Sequence, residues 1–291
     1  MACRGDADTA AVCLKSLIDR SVEPLRVVIF NDGTLEPRQK ERLLSSSPEV
    51  SITEPSEADD ACLQKLERFP ACRKYRKANP LIRKVIDLPL MAQGDLYYAD
   101  SDIYFVRRYE GLFEIAASSQ DALFMDNAVE SYCVAPWHLA GWRPLKLASR
   151  INSGIVCLRE GCYDLEYVEY LLGRWGGVFA RRHIWWADQT CWAALAARLR
   201  AFVCAPAQIP VMSPGFCVSP ATVAVHFVST YRSGLSRFVA EHGDGAGDAP
   251  TIRIMKLPVQ RCTALRVAIS RYGRRLGLPA PAQVVRAGEV G

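Results

Sequence analysis

The 291-residue chain is short of the features that would assign its class at once. No run approaches ~18 uninterrupted apolar residues, so no segment reads as a membrane-spanning helix. Eleven cysteines are spread from Cys3 to Cys262, an odd number with no C-x-x-C pair, which indicates neither a disulfide framework nor a zinc ribbon. The opening MACRGDADTAAVCLKSLIDR has no basic stretch leading into an apolar core. No signal peptide is therefore visible, and a cytoplasmic protein is expected. No internal repeat is evident, and nothing before residue 241 is low-complexity.

Apolar content is ample. Half of the residues are hydrophobic, enough to bury a substantial core, and 23% are charged, too few for a disordered polyelectrolyte. The net charge of +5 hides an uneven distribution. Residues 251–291 carry eight basic side chains against Glu289 alone, a net of +7, which leaves −2 for the preceding 250 residues. No nucleic-acid partner is expected of such a body, and any attraction to polyanions is concentrated in the tail.

Glycine, aspartate and proline replace apolar periodicity in EHGDGAGDAP, so residues 1–240 read as one domain, 241–250 as a linker and 251–291 as a basic, partly helical segment. Within 1–240 helical and strand patterns alternate, which predicts an α/β fold with a mixed, mainly parallel sheet flanked by helices. Asp6-Ala7-Asp8 reads as a cap, with Asp8 heading a helix whose apolar positions Ala10, Cys13, Leu14, Leu17 and Ile18 recur at three and four residues. Leu25–Phe30 then reads as a buried strand, with helices around 36–44 and 57–68. Pro80 suits the first turn of a helix carrying Leu81, Val85 and Leu88. Leu96–Ala99 is a short strand that runs into Asp100-Ser101-Asp102, and a second apolar stretch, Ile103–Val106, follows.

In extended backbone, residues two apart point to the same side, so Asp100 and Asp102 can present two carboxylates to one ligand at the carboxyl end of a strand. Ligands of open α/β sheets bind there. Two hard oxygen donors suit Mg²⁺ or Mn²⁺, which in turn suit a diphosphate. A D-x-D triplet alone is not specific; the chain contains a second one at Asp6, and a solvated loop explains such a triplet as well as a metal site does. The same triplet after a strand also opens the nucleophile loop of haloacid-dehalogenase-like phosphohydrolases. That reading wants the motif near the start of the domain and a later acidic pair on a strand end. Here Asp59-Asp60 precedes the motif, in a helical stretch.

The run NPLIRKVIDLPLMAQGDLYYADSDIYFVRR, followed in order by INSGIVCLRE, WADQTCWAALA and AVHFVSTYRS, resembles bacterial nucleotide-sugar glycosyltransferases of the GT-A fold, nearest in style to glycosyltransferase family 8. MACRGDA and VIFNDGTL resemble the nucleotide-binding strand ends of the same group, so the resemblance covers about residues 1–235. It implies a GT-A-like α/β domain in which Asp100 and Asp102 hold a divalent ion and the donor diphosphate, with His226 as a late metal ligand. A neutral imidazole completes an Mn²⁺ shell better than that of Mg²⁺. Where family 8 has a Gly and Lys pattern gripping the phosphates, this chain has Ser229-Thr230-Tyr231-Arg232, and Arg232 offers a fork for phosphate oxygens instead.

The resemblance also places Asn152, Ser153 and Gly154 beside the donor sugar, where the alternative is an ordinary turn before a strand. Asp188 is implied on sugar hydroxyls or the acceptor and Gln189 near the anomeric carbon; the alternative for both is a helix start. Arg4, Asp6 and Asp32 resemble the base and ribose contacts. The activity implied is glycosyl transfer from a nucleoside diphosphate, UDP-linked by family, to a hydroxyl on a glycan, lipid or protein. Asp188 acting as base on the face opposite the leaving group would invert the anomeric centre; Asp188 gripping only the donor favours retention, which is the course expected. A noncatalytic sugar-nucleotide-binding protein is the other class kept open. Trp137, Trp142, Trp185 and Trp186 are candidates for an acceptor platform or for core packing. In the tail, a helix over 261–276 would place Leu265, Ile269, Tyr272 and Leu276 on one stripe, with arginines off it. That pattern suits either packing against the domain or a peripheral position on the anionic inner face of a membrane.

Overall fold

The computed structural model describes residues 1–114, 120–127, 129–134, 145–175, 186–243 and 249–256. In chain order the elements are α1 (Ala7–Arg20), β1 (Val27–Phe30), α2 (Pro37–Leu44), β2 (Val50–Thr53), α3 (Pro55–Cys62), α4 (Pro70–Ala78), α5 (Arg83–Met91), β3 (Leu96–Ala99), β4 (Ile103–Phe105), β5 (Ala122–Asp126), β6 (Ile151–Leu158), α6 (Leu165–Trp175), α7 (Ala187–Ala196), β7 (Ala201–Cys204), β8 (Ala224–His226), α8 (Leu235–His242) and β9 (Ile254–Lys256). The fold is α/β, with mixed strand pairing and flanking helices. The described residues fall into two compact units, the first built from Met1–Asp60, Tyr98–Glu114 and Cys204–Arg253, the second from Ala61–Tyr97, Ile115–Val203 and the described part of Ile254–Gly291. The middle of the linker, residues 244–248, lies outside the described residues, as do the tail from 257 onward and Trp137, Trp142 and Trp185.

In the first unit β1 and β2 pair in parallel, with Val27 opposite Val50 and Phe30 opposite Thr53. The crossover helix α2 starts on Pro37 behind a Glu36–Gln39 capping box. Ala10, Ala11 and Leu14 of α1 pack with Ile29, Leu43 and Val50. Burying one such leucine contributes about 2 kcal/mol. One turn round the same helix, Cys13 belongs to a second cluster with Tyr104, Val106, Val225, Phe227 and Phe238. Two apolar faces thus fix α1 between β1 and the antiparallel pair of β4 and β8. Asp8 does not cap α1: it sits in the first turn and pairs with Arg42, while Asp6 occupies the cap position without a side-chain capping bond. A carboxylate in the first turn still favours the helix dipole.

Antiparallel pairing sets Ile103 opposite His226, Tyr104 opposite Val225 and Phe105 opposite Ala224. The Phe227 amide donates to the Asp102 carbonyl at 2.8 Å, one step beyond the ladder. This register brings the D-x-D segment and His226 together.

The second unit carries a five-stranded sheet in the order β3-β6-β5-β7-β9. β5 runs antiparallel to β6 and parallel to β7. Every residue of β6 is buried, as expected of a strand covered on both faces. Asn152, Ser153 and Gly154 lie inside β6 and not in a turn before it. The continuous apolar run after them conceals an irregularity: the partner of Phe124 is Val156, whereas the partner of Met125 is Asn152. Extra residues on one strand re-aim side chains locally. The helix predicted over 57–68 ends at Cys62, and a separate helix, α4, starts on Pro70. Glu169 of α6 accepts from the Ala71 and Cys72 amides at 2.9 and 2.8 Å, satisfying two of that helix's open donors. Arg76 and Asp87 form a buried two-bond pair, at 2.7 and 2.9 Å, between α4 and α5.

Candidate functional site

β3 ends at Ala99, Asp100 follows it, and a turn at Ser101 and Asp102 leads directly into β4. Asp102 is almost fully buried, as is His226 at the end of β8. The imidazole Nε2 stands 3.0 Å from Asp102 Oδ1 and 3.7 Å from Asp100 Oδ2. One ligand atom from each of the three residues falls within 4.8 Å of the others. Tyr98 donates its hydroxyl to Asp100 Oδ1 and so orients that carboxylate. His226 Nδ1 is buried without a hydrogen-bond partner among the described residues. Nε2, which faces both carboxylates, is therefore the nitrogen presented to any ligand. Two hard oxygens and one borderline nitrogen, converging from two strands, fit a divalent first-row ion.

Arg232 closes one side of this cluster. Its Nε donates to Asp102 Oδ2 at 2.8 Å, with Nη2 in ion-pair contact with the same oxygen at 2.8 Å, and Nη1 donates to Asp6 Oδ2 at 2.8 Å. Ser229, with φ of 51°, turns the chain from β8 into the 3₁₀ segment Ser229–Gly234 that carries Arg232. A left-handed serine costs about 1–2 kcal/mol, so the surrounding contacts impose this turn. Partial burial lowers the affinity of the guanidinium for its proton, but Asp102, Asp6 and Asp100 outweigh it and raise the Arg232 pKa. Below the cluster, burial and the nearby Asp102 carboxylate push the Cys13 thiol far up, so it is no thiolate nucleophile.

Arg4 and Asp32 lie apart from this network, at Thr34. The Arg4 amide donates to Thr34 Oγ1 at 2.8 Å, while Asp32 Oδ1 accepts from the Thr34 amide and hydroxyl at 2.9 and 2.6 Å. The Arg4 side chain is exposed and pairs loosely with Glu36 at 3.4 Å.

A second polar cluster forms within the second unit. Ser153 Oγ donates to Asp188 Oδ2 at 2.9 Å, and Lys84 Nζ of α5 lies 4.0 Å from the same oxygen. All three residues are buried. Asp188 is not the cap of α7, because Trp186 takes that position. Gln189 donates its amide to the Ser131 carbonyl at 2.9 Å, and the Gly154 amide donates to Asn152 Oδ1 at 2.7 Å. Lys84 is absent from the motif reading. Lys84 follows Arg83 between Ile82 and Val85, and nothing local separates this buried lysine from a solvated one.

No protein-family model matches the chain. Its sequence is similar to glucoside xylosyltransferase 1 of Rattus norvegicus, 25% identical over 215 residues covering 65% of this chain and 46% of that protein. The Mus musculus protein of the same name is 24% identical over 212 residues, 65% of this chain and 49% of the relative. The matched stretch therefore spans about half the length of these curated relatives. Among solved structures, apo mouse xyloside xylosyltransferase 1 superposes with a TM-score of 0.48 at 11% identity, covering 76% of this chain and 91% of that one. Galactosyltransferase LgtC in complex with donor and acceptor sugar analogues gives 0.47 at 12%, covering 85% and 95%. The chain is a homologue of glycosyltransferases. The curated relatives named above are rodent glucoside xylosyltransferases, so a bacterial origin is not shown. No helix among the described residues is long and apolar enough to cross a membrane.

Proposed function

We propose that this chain transfers a sugar from a nucleoside-diphosphate donor, UDP-linked, to an acceptor hydroxyl, with retention at the anomeric carbon. The observation that carries the reading is the convergence of Asp100, Asp102 and His226. These three residues would hold the divalent cation, Mn²⁺ in preference to Mg²⁺ because of the imidazole. Bound there, such an ion neutralises charge on a departing diphosphate. The protein's own part is to fix the two carboxylates: Tyr98 orients Asp100, and the β4–β8 register places Asp102 beside His226. Fixed charges of this kind need no reorganisation as the diphosphate leaves, and such preorganisation supplies much of the rate of similar sites.

In this reading Asp188 accepts from hydroxyls of the donor sugar and Gln189 lies near the anomeric carbon, with Asn152, Ser153 and Gly154 shaping the sugar pocket. Ser153 holds the Asp188 carboxylate in one orientation. Arg4 and Asp32, joined through Thr34, serve the base and ribose. The basic tail and any membrane attachment stay a secondary proposal, tested by vesicle flotation with and without residues 251–291.

A panel of nucleotide sugars incubated with Mn²⁺ or Mg²⁺, scored for slow donor hydrolysis, tests the reading. Turnover of a UDP-sugar is expected, with Asp100→Asn and Asp102→Asn each lowering it about 10³-fold. Hydrolysis of simple phosphate esters in place of nucleotide sugars, or turnover indifferent to both substitutions, would overturn it.

A further inference from the structure

We propose that Arg232 is a latch on the carboxylate pair, a resident counter-cation that holds Asp102 Oδ2 until a diphosphate arrives to take its place; the inference rests on the metal and donor reading given above. All three guanidinium nitrogens face carboxylates: Nε donates to Asp102 Oδ2, Nη2 lies 2.8 Å from the same oxygen, and Nη1 donates to Asp6 Oδ2. The Arg232 side chain is nonetheless 39% exposed, whereas that of Asp102 is 5% exposed. The fork therefore reaches from the solvent edge onto a buried acid. Asp6 supports the same arrangement, since it stands at the cap position of α1 yet gives no capping bond and spends its carboxylate on Arg232.

Two consequences follow from charge and geometry. With Oδ2 engaged by Arg232, the oxygen of Asp102 best placed for a cation is Oδ1, which lies 3.0 Å from His226 Nε2. A fixed positive charge bonded to a ligand also opposes any second cation nearby. The cluster still carries more negative than positive charge, yet Asp102 already holds one cation, so a second cation binds less tightly while Arg232 stays there. A diphosphate changes this, because its oxygens accept the same planar fork that Asp102 accepts. As Arg232 moves to the diphosphate, Asp102 Oδ2 is released for the ion. Donor and cation thereby favour each other's binding through one side chain.

The test measures Mn²⁺ affinity by electron paramagnetic resonance on the full chain with no nucleotide present, alongside thermal melts that report folding. Arg232→Gln should bind Mn²⁺ on the order of tenfold more tightly than the wild type. Arg232→Lys keeps the charge but loses the fork, so it should fall between the two. Asp100→Asn should lose binding. Unchanged or weaker binding in Arg232→Gln overturns the latch. Arg232→Lys equal to the wild type beside a tighter Arg232→Gln also overturns it, because the effect would then be net charge rather than contact. Should Arg232→Gln not fold, Arg232→Lys alone decides: tighter binding supports the latch and wild-type binding ends it. Binding indifferent to Asp100 would instead sink the metal reading, so the two failures are distinct.

Discussion

Asp102 and Asp188 are the same residue type at the same 3% exposure, yet their surroundings differ in kind. Asp102 faces an imidazole at 3.0 Å and takes a charge-assisted bond from a guanidinium whose second nitrogen lies 2.8 Å from the same oxygen. Asp188 takes a neutral hydroxyl bond from Ser153, and the Lys84 ammonium stands off at 4.0 Å. A buried carboxylate needs partners to stay ionised, and the choice of partner shows what each site is built to meet. The first presents converging charged ligands with one counter-ion at the rim, which suits exchange of one cation for another. The second holds its carboxylate with one hydroxyl bond and a more distant ammonium, between packed strand and helix, as the sugar-binding role proposed for it would require.

Substituting Asp188 tests that division most sharply. Asp188→Asn keeps the shape and removes the charge, and it should lower kcat about 10²-fold while leaving Mn²⁺ affinity at the wild-type value. Loss of Mn²⁺ affinity in this variant would break the division into a cation site and a sugar site. A smaller effect comes from Ser153→Ala, which removes the bond that orients Asp188 and leaves the carboxylate in place. About a tenfold fall in kcat/KM is expected, the equivalent of one modest hydrogen bond, with Asp102-dependent cation binding unaltered. Steady-state kinetics with donor and acceptor varied separately checks both.

The two sites were unequally legible in the sequence. The period-2 geometry of extended backbone places Asp100 and Asp102 on one side of the chain, and a short strand before them locates the pair at a strand end. His226 needed the ordered resemblance, because no local pattern says that β8 pairs with β4 in a register that sets residue 226 beside 102. The Arg232 bonds to Asp6 and Asp102 have no local signal at all, since side chains joined at long range leave no periodicity. A turn is the alternative that Asn, Ser and Gly suggest for Asn152–Gly154, and burial inside an irregular strand overrides that preference. Lys84 was hidden for the opposite reason. One lysine in a helix reads as solvated, and only the packing of α5 beside α7 and β6 shows it buried near Asp188. The division into two units also escapes a linear reading, because Tyr98–Glu114 returns the chain to the first unit and Ala61–Tyr97 has already left it.

A third carboxylate, Asp121, supplies the contrast that both buried acids lack. It lies just before β5, where its side chain accepts from the Arg200 amide at 2.9 Å and from Arg200 Nη2 at 2.7 Å, and its own amide donates to the Arg200 carbonyl at 3.1 Å. These bonds fix the start of the parallel pairing of β5 with β7, whose first partners are Ala122 and Ala201. The hydrogen bonds from Arg200 hold the Asp121 carboxyl below the usual carboxylate range. A depressed folded-state pKa means the unfolded chain binds the proton first, so the stability from this group is present above the unfolded pKa and is lost as pH falls through the folded one. Asp121→Asn should therefore melt a few degrees below the wild type at about pH 6, and the gap should begin to shrink as pH falls below the ordinary carboxylate range and close only once pH is below the depressed folded pKa. Because Arg200 is largely exposed, added salt should narrow the gap as well. A gap that persists at low pH and high salt would assign the contribution of Asp121 to neutral hydrogen bonding at the strand start, the kind of bond that Ser153 makes to Asp188, and would place it with the second site rather than with the charged first one.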